Sequence, residues 1–136
     1  LFFNYAYIDS YDGEDCDDPG DTAATGIDCQ GVLIPKHQIS SSLKKTINNF
    51  EGLGDLNLTL NTNYVGERRD YGNTNNNFQD VILSDYLAVD YMLNYSLFDT
   101  YNLNISARNI TDKRYSEAYE YKAPGRSFNF MIGRSF

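Results

Sequence analysis

No stretch of this 136-residue chain approaches the roughly 20 consecutive apolar residues that a membrane-spanning helix needs. Mean hydropathy is -0.52. That excludes a helical span and leaves a transmembrane β-barrel open, because barrel strands are apolar only at alternate positions. Lysine and arginine are missing from residues 1–35, which hold eight of the nineteen acids; the other eleven acids are balanced by eleven bases. The net charge of -8 therefore belongs to one segment. Such a segment argues against nucleic acid as a partner, since phosphate binding needs clustered Lys and Arg. Tryptophan is absent, and there are only one histidine and two cysteines. The chain opens LFFNYAY, with no initiator Met, basic n-region or cleavage site, and so reads as part of a longer protein. In contrast there are 12 Tyr and 8 Phe, a composition suited to aromatic girdles at a bilayer interface.

Period-two alternation recurs six times, and that period indicates strands. Leu1 to Ser10 carries Leu1, Phe3, Tyr5 and Tyr7 on one face. Between Lys36 and Asn48, Ile39, Leu43 and Ile47 share a face with Ser41 and Lys45, and the even positions are polar. Leu56, Leu58, Leu60, Thr62 and Tyr64 oppose Asn57, Thr59, Asn61 and Asn63. Leu87, Val89, Tyr91, Leu93, Tyr95 and Leu97 alternate with Tyr86, Ala88, Asp90, Met92, Asn94 and Ser96. Tyr101, Leu103, Ile105 and Ala107 oppose Asn102, Asn104, Ser106 and Arg108. The last strand sets Phe128, Phe130, Ile132, Arg134 and Phe136 against Ser127, Asn129, Met131, Gly133 and Ser135.

The connections alternate between long (11–35, 67–84, 110–124) and short (48–54, 98–100). Transmembrane barrels have that asymmetry, with short periplasmic turns and long extracellular loops. A polar second face suits a wet lumen, and only a closed barrel satisfies backbone groups inside lipid. A soluble antiparallel meander gives the same alternation.

The segment Asn109, Ile110, Thr111, Asp112, Lys113, Tyr115, a tyrosine-rich loop, and then Ala123, Pro124, Gly125, Arg126 and Phe128 lead into the final strand. Taken with Phe130, Ile132 and the terminal Phe136, this stretch resembles the C-terminus of TonB-dependent outer-membrane receptors. The resemblance implies an all-β fold: an antiparallel meander of six strands forming the C-terminal part of a transmembrane β-barrel of about 22 strands, with the plug domain absent. It also implies a bacterial outer-membrane location and no enzymatic activity. The implied function is energy-coupled uptake of a scarce nutrient such as an iron–siderophore complex or cobalamin. The implied partners are outer-membrane lipid, lipopolysaccharide, that small-molecule chelate, and the TonB complex acting through a part not in this sequence. With Phe136 periplasmic, the long loops face outside. Tyr95, Phe98, Tyr101 and Phe136 then mark the inner rim, and Tyr64, Tyr86 and Phe128 the outer one. Lys45 and Arg134 lie on the lipid register near the inner rim, where they can snorkel. The competing class is a non-transporting surface adhesin or soluble β-sheet binding domain with a disulfide-pinned acidic loop.

Cys16 and Cys29 are expected to form a disulfide in an extracytoplasmic loop, contributing on the order of 3 kcal/mol in the chain-entropy model. A metal-binding pair is the rival, but no histidine lies nearby. The acids Asp12, Glu14, Asp15, Asp17, Asp18 and Asp21 are candidates for Ca²⁺, which takes six to eight oxygens. Asp15, Asp17 and Gly20 match EF-hand positions, whereas Pro19 and Gly26 break the pattern, so the alternative is a solvated acidic loop. No other cofactor is expected. His37 and Ser40 lie three apart on a strand and point to opposite faces, which rules against a relay. Arg68 and Arg69, within Tyr64-Val65-Gly66-Glu67-Arg68-Arg69-Asp70, resemble the family's strand exit. They are suited either to an anionic ligand or to bracing the loop base. Tyr115, Tyr119 and Tyr121 either line a ligand vestibule or shield the loop.

Overall fold

A computed structural model describes residues 1–10, 31–74, 77–98 and 100–134. The described residues form ten strands: β1 (Phe2–Tyr7), β2 (His37–Phe50), β3 (Gly54–Val65), β4 (Arg68–Thr74), β5 (Asn77–Leu83), β6 (Tyr86–Leu97), β7 (Tyr101–Arg108), β8 (Ser116–Ala118), β9 (Tyr121–Lys122) and β10 (Ser127–Arg134). Six of them form one antiparallel sheet in the order β1-β2-β3-β6-β7-β10, and β4-β5 and β8-β9 are separate hairpins. Among the described residues there is no helix.

The register makes the two faces continuous across strands. Leu43, Leu60, Tyr91, Ala107 and Phe128 stand in one row. The next rows are Lys45, Leu58, Leu93, Ile105 and Phe130, then Ile47, Leu56, Tyr95, Leu103 and Ile132. On the other face Lys44, Thr59, Met92, Ser106 and Asn129 align, as do Thr46, Asn57, Asn94, Asn104 and Met131. A one-residue slip in any strand would exchange its faces, so the shared register follows from the alternation itself. Among the described residues no second layer covers the apolar face: Leu43, Phe128, Phe130 and Ile132 are half to two-thirds exposed. Removing each such side chain fully from water is worth about 1.5–3 kcal/mol, and that gain is left to whatever lies against the face.

The short turns lie together at one end. Asn49, Glu51 and Gly52 take positive φ in the first turn, and the Asn49 amide donates to Asp55 Oδ1 at 2.9 Å. Gly54 (φ 148°) is obligatory, since a Cβ there would meet Ser96 O at 1.8 Å. The Phe98 amide donates to Leu53 O at 2.8 Å, which ties the second turn to the first. At the opposite end Gly66 breaks β3 from β4, its amide donating to His37 O at 2.9 Å.

The expected six strands are those of the main sheet. The sequence-based assignment of 67–84 as a loop requires correction, because most of it is the β4-β5 hairpin. Segment 110–124 likewise contains β8 and β9. These strands lack apolar alternation, so periodicity does not reveal them. Tyr86 pairs with Val65 on the polar register, as the alternation with Leu87 predicts, so it turns away from the face that carries Tyr64 and Leu87. Lys45 and Arg134 do lie on the apolar register, opposite Leu58 and Tyr101. His37 and Ser40 fall on opposite faces; His37 stands against Tyr7 and accepts or donates a 2.9 Å bond with the Tyr5 hydroxyl. Cys16, Cys29, the acids Asp12, Glu14, Asp15, Asp17, Asp18 and Asp21, and Phe136 lie outside the described residues.

Candidate ligand-binding rim

Long connections project from the end opposite the two turns, and the buried polar side chains Arg68, Arg69, Asp70 and Asn109 cluster there. The assembly starts at Asn109. Asn and Asp tolerate the left-handed backbone better than other non-glycine residues, and Asn109 (φ 49°) and Asp112 (φ 51°) both adopt it. The Asn109 amide donates to Asp90 Oδ1 at 2.8 Å. Its Nδ2 donates to Lys113 O at 2.9 Å, and its Oδ1 accepts from the Lys113 amide at 3.1 Å. The Arg126 amide donates to Asp112 Oδ1 at 3.0 Å, closing the far end of the same loop. The Asn-Ile-Thr-Asp-Lys segment is therefore a self-bonded turn that fixes where Tyr115 emerges.

Tyr115 stacks on Tyr86, with ring centroids 3.8 Å apart and planes 12° from parallel. The Arg68 guanidinium lies 5.3 Å from the Tyr86 ring centroid on the polar side of the sheet. Arg68 Nη2 donates to the carbonyls of Ser116 and Glu117 in β8, and its Nη1 has no acceptor among the described residues. Burial holds the Tyr115 phenol above its ordinary value; Tyr86, Glu117 and Asp90 push the same way, and Arg68 opposes them.

Asp70 completes the junction of the two hairpins. Its Oδ1 accepts from the Tyr71 amide at 2.8 Å, and its Oδ2 accepts from the Tyr119 amide in the β8-β9 turn. Tyr119 then lays its ring on Gly72, where an added Cβ would meet ring carbons at 3.1 Å and Val81 Cγ2 at 2.5 Å. Arg69 is fully buried; its Nε lies 3.1 Å from Asp80 Oδ1 and its Nη2 donates to the Tyr71 hydroxyl. The Leu33 amide donates to Arg69 O at 2.7 Å, so the chain leaving segment 11–30 runs alongside β4.

The five candidate residues thus occupy different positions. Arg68 and Arg69 brace β4 from within, and Tyr115 and Tyr119 are packed. Tyr121 is 75% exposed at the tip, beside Glu120 at φ 64°. Sequence reasoning missed Asp90, Gly72 and the structural roles of Asn109 and Asp112. The only available signal was Asn and Asp at turn positions, which favour left-handed backbone and local side-chain bonds.

Structures of known outer-membrane proteins superpose on this architecture. The crystal structure of the ferripyoverdine receptor of the outer membrane of Pseudomonas aeruginosa, bound to ferripyoverdine, matches 72% of this chain at 20% identity, with a TM-score of 0.58. The chain shares the fold of the matched part of that receptor. P. aeruginosa FpvA bound to a heterologous pyoverdine and iron matches 76% at 18% identity and a TM-score of 0.65. FpvAI in its complex with pyocin S2 matches 75% at 17% and 0.64. In each case the match covers 14% of the matched chain, so this chain spans about one seventh of those proteins. No family model and no curated protein matches the sequence.

Proposed function

We propose that the chain is the C-terminal part of the barrel of a TonB-dependent receptor in the bacterial outer membrane. Its role there would be to help import an iron–siderophore complex or a comparably scarce chelate such as cobalamin. One observation carries the reading: a single register keeps an uncovered apolar face and a hydroxyl- and amide-rich face in phase through all six strands. A barrel wall between lipid and a wet lumen requires that arrangement. The solved receptors named above bind ferripyoverdine, other pyoverdines or a pyocin, and their shared fold supports a siderophore chelate as cargo. In this reading the two braced hairpins face outside and Tyr121 is the side chain offered to arriving ligand. The plug, the contact with the TonB complex and the remaining strands are supplied by other parts of the protein. Any Ca²⁺ would be held by the acids of segment 11–30, and lipopolysaccharide would surround the outer rim.

Labelling of intact cells tests the placement. In a Cys16→Ser/Cys29→Ser background of the full-length protein, Tyr121→Cys is expected to react with an impermeant maleimide. Glu51→Cys is expected to react only after the outer membrane is permeabilised. Reaction of Glu51→Cys in intact cells, or recovery of the protein in the soluble fraction, would overturn the proposal. Growth of a deletion strain on single ferric chelates as iron source then identifies the cargo, by loss of growth on one of them.

A further inference from the structure

The hairpin that carries Tyr121 is too short to hold itself. Strands β8 and β9 contribute three and two residues, pair Ser116 with Lys122 and Ala118 with Tyr121, and lose register between those pairs. The Ala123 amide closes the base by donating to Tyr115 O at 3.0 Å. Even a full-sized isolated hairpin is marginal in water. The turn at Tyr119 and Glu120 adds a cost, because Glu120 takes φ 64°, a left-handed conformation to which Gly, Asn and Asp are better suited.

Two side chains of β4 make up the deficit. Arg68 and Asp70 lie two residues apart and so share a face of their strand. Both are buried, at 3% and 8% exposure. Arg68 Nη2 donates to Ser116 O and, at 3.2 Å, to Glu117 O, and Asp70 Oδ2 accepts from the Tyr119 amide. One side chain takes backbone acceptors and the other a backbone donor, as a neighbouring strand would. Each grip starts from a fixed side chain: the Tyr71 amide donates to Asp70 Oδ1 at 2.8 Å, and Arg68 lies over the Tyr86 ring. Tyr121, two residues beyond the gripped amide, is 75% exposed, so its own packing does little to fix it.

We propose that Arg68 and Asp70 are positioning residues for cargo capture: without touching the chelate, they preset the β8-β9 hairpin so that Tyr121 meets it ready-placed. This inference rests on the receptor reading above. A contact ordered in advance binds more tightly, because the ordering cost is met during folding. Uptake by cells carrying the full-length protein tests it, the probe being whichever labelled chelate, ferric or cobalamin, the deletion strain fails to import. Asp70→Ala should raise the half-saturating concentration about tenfold, as when the competent hairpin falls to about a tenth of the population. The maximal rate at matched outer-membrane abundance should not change. Arg68→Met should act in the same direction. Tyr119→Pro removes the donor but keeps the carboxylate, and should match Asp70→Ala. The double variant should be no weaker than either single one. Tyr119→Leu keeps the amide and should stay near the parent. An unchanged half-saturating concentration in Asp70→Ala or Arg68→Met, additive losses in the double variant, or a loss confined to the maximal rate would overturn the inference while leaving the receptor reading intact. A deletion strain that still imports every ferric chelate and cobalamin would remove both.

Discussion

Asn109 shows how much one side chain can organise. It is 5% exposed, and its backbone and side chain reach Asp90, Lys113, Pro124 and Thr111. Replacement by Ala removes the side-chain bonds, leaves the Lys113 amide without its acceptor, and places a less tolerant residue at φ 49°. A loss of about 2–3 kcal/mol is expected from those combined effects, measurable as a lower denaturant midpoint at unchanged slope. Tyr115 supplies a pH readout. Its folded proton affinity is raised by burial, so the folded chain keeps the proton to higher pH than the unfolded chain does. Stability from this packing is present in full below about pH 10 and falls as pH rises through the folded value. Absorbance titration at 295 nm should show one fewer high-midpoint phenol in Tyr115→Phe than in the parent protein.

Hairpins β4-β5 and β8-β9 behave as one unit if the Asp70 and Arg68 bonds hold them together. Asp70→Ala should therefore speed amide exchange in both hairpins at once, while the amides of β3 and β6 keep their protection. Acceleration confined to β4-β5 would show that the hairpins are independent. This is also the scale at which sequence reading stopped. The long strands announce themselves because Leu, Val and Tyr recur at every second position, as in Leu87 to Leu97. The segment Arg68-Arg69-Asp70-Tyr71-Gly72 carries no such period. Its strand character comes from pairing with β5 and from contacts with residues about 48 positions away. Long-range polar bonds of this kind leave no local mark. The tyrosines were visible as candidates, but their fates were not, since Tyr115 and Tyr121 differ only in what packs against them.

For the molecule as a whole, the two faces of the sheet make opposite demands on the same kind of substitution. Phe130 lies mid-strand on the apolar register beside Ile105, and its neighbour Asn129 pairs with Ser106 on the polar one. In the full-length protein folded into a bilayer, Phe130→Arg should cost about 2–4 kcal/mol, whereas Asn129→Arg should cost little. Refolding yield in lipid vesicles at graded urea would separate them; equal effects would contradict a wall between lipid and water. The division of each strand into two faces, which sets these demands, was legible from alternation alone.

The meeting of Tyr119 with Gly72 also has an evolutionary consequence. Asp70 holds the backbone amide at 119, which every residue except proline provides, so position 119 is free to change as far as Asp70 is concerned. Gly72 instead feels the ring itself. Among descendants of this sequence, side-chain volume at 72 and 119 should drift in a correlated way. Loss of the ring would still not free position 72 completely, because Val81 crowds the same space. Asp70 should stay fixed with no covarying partner.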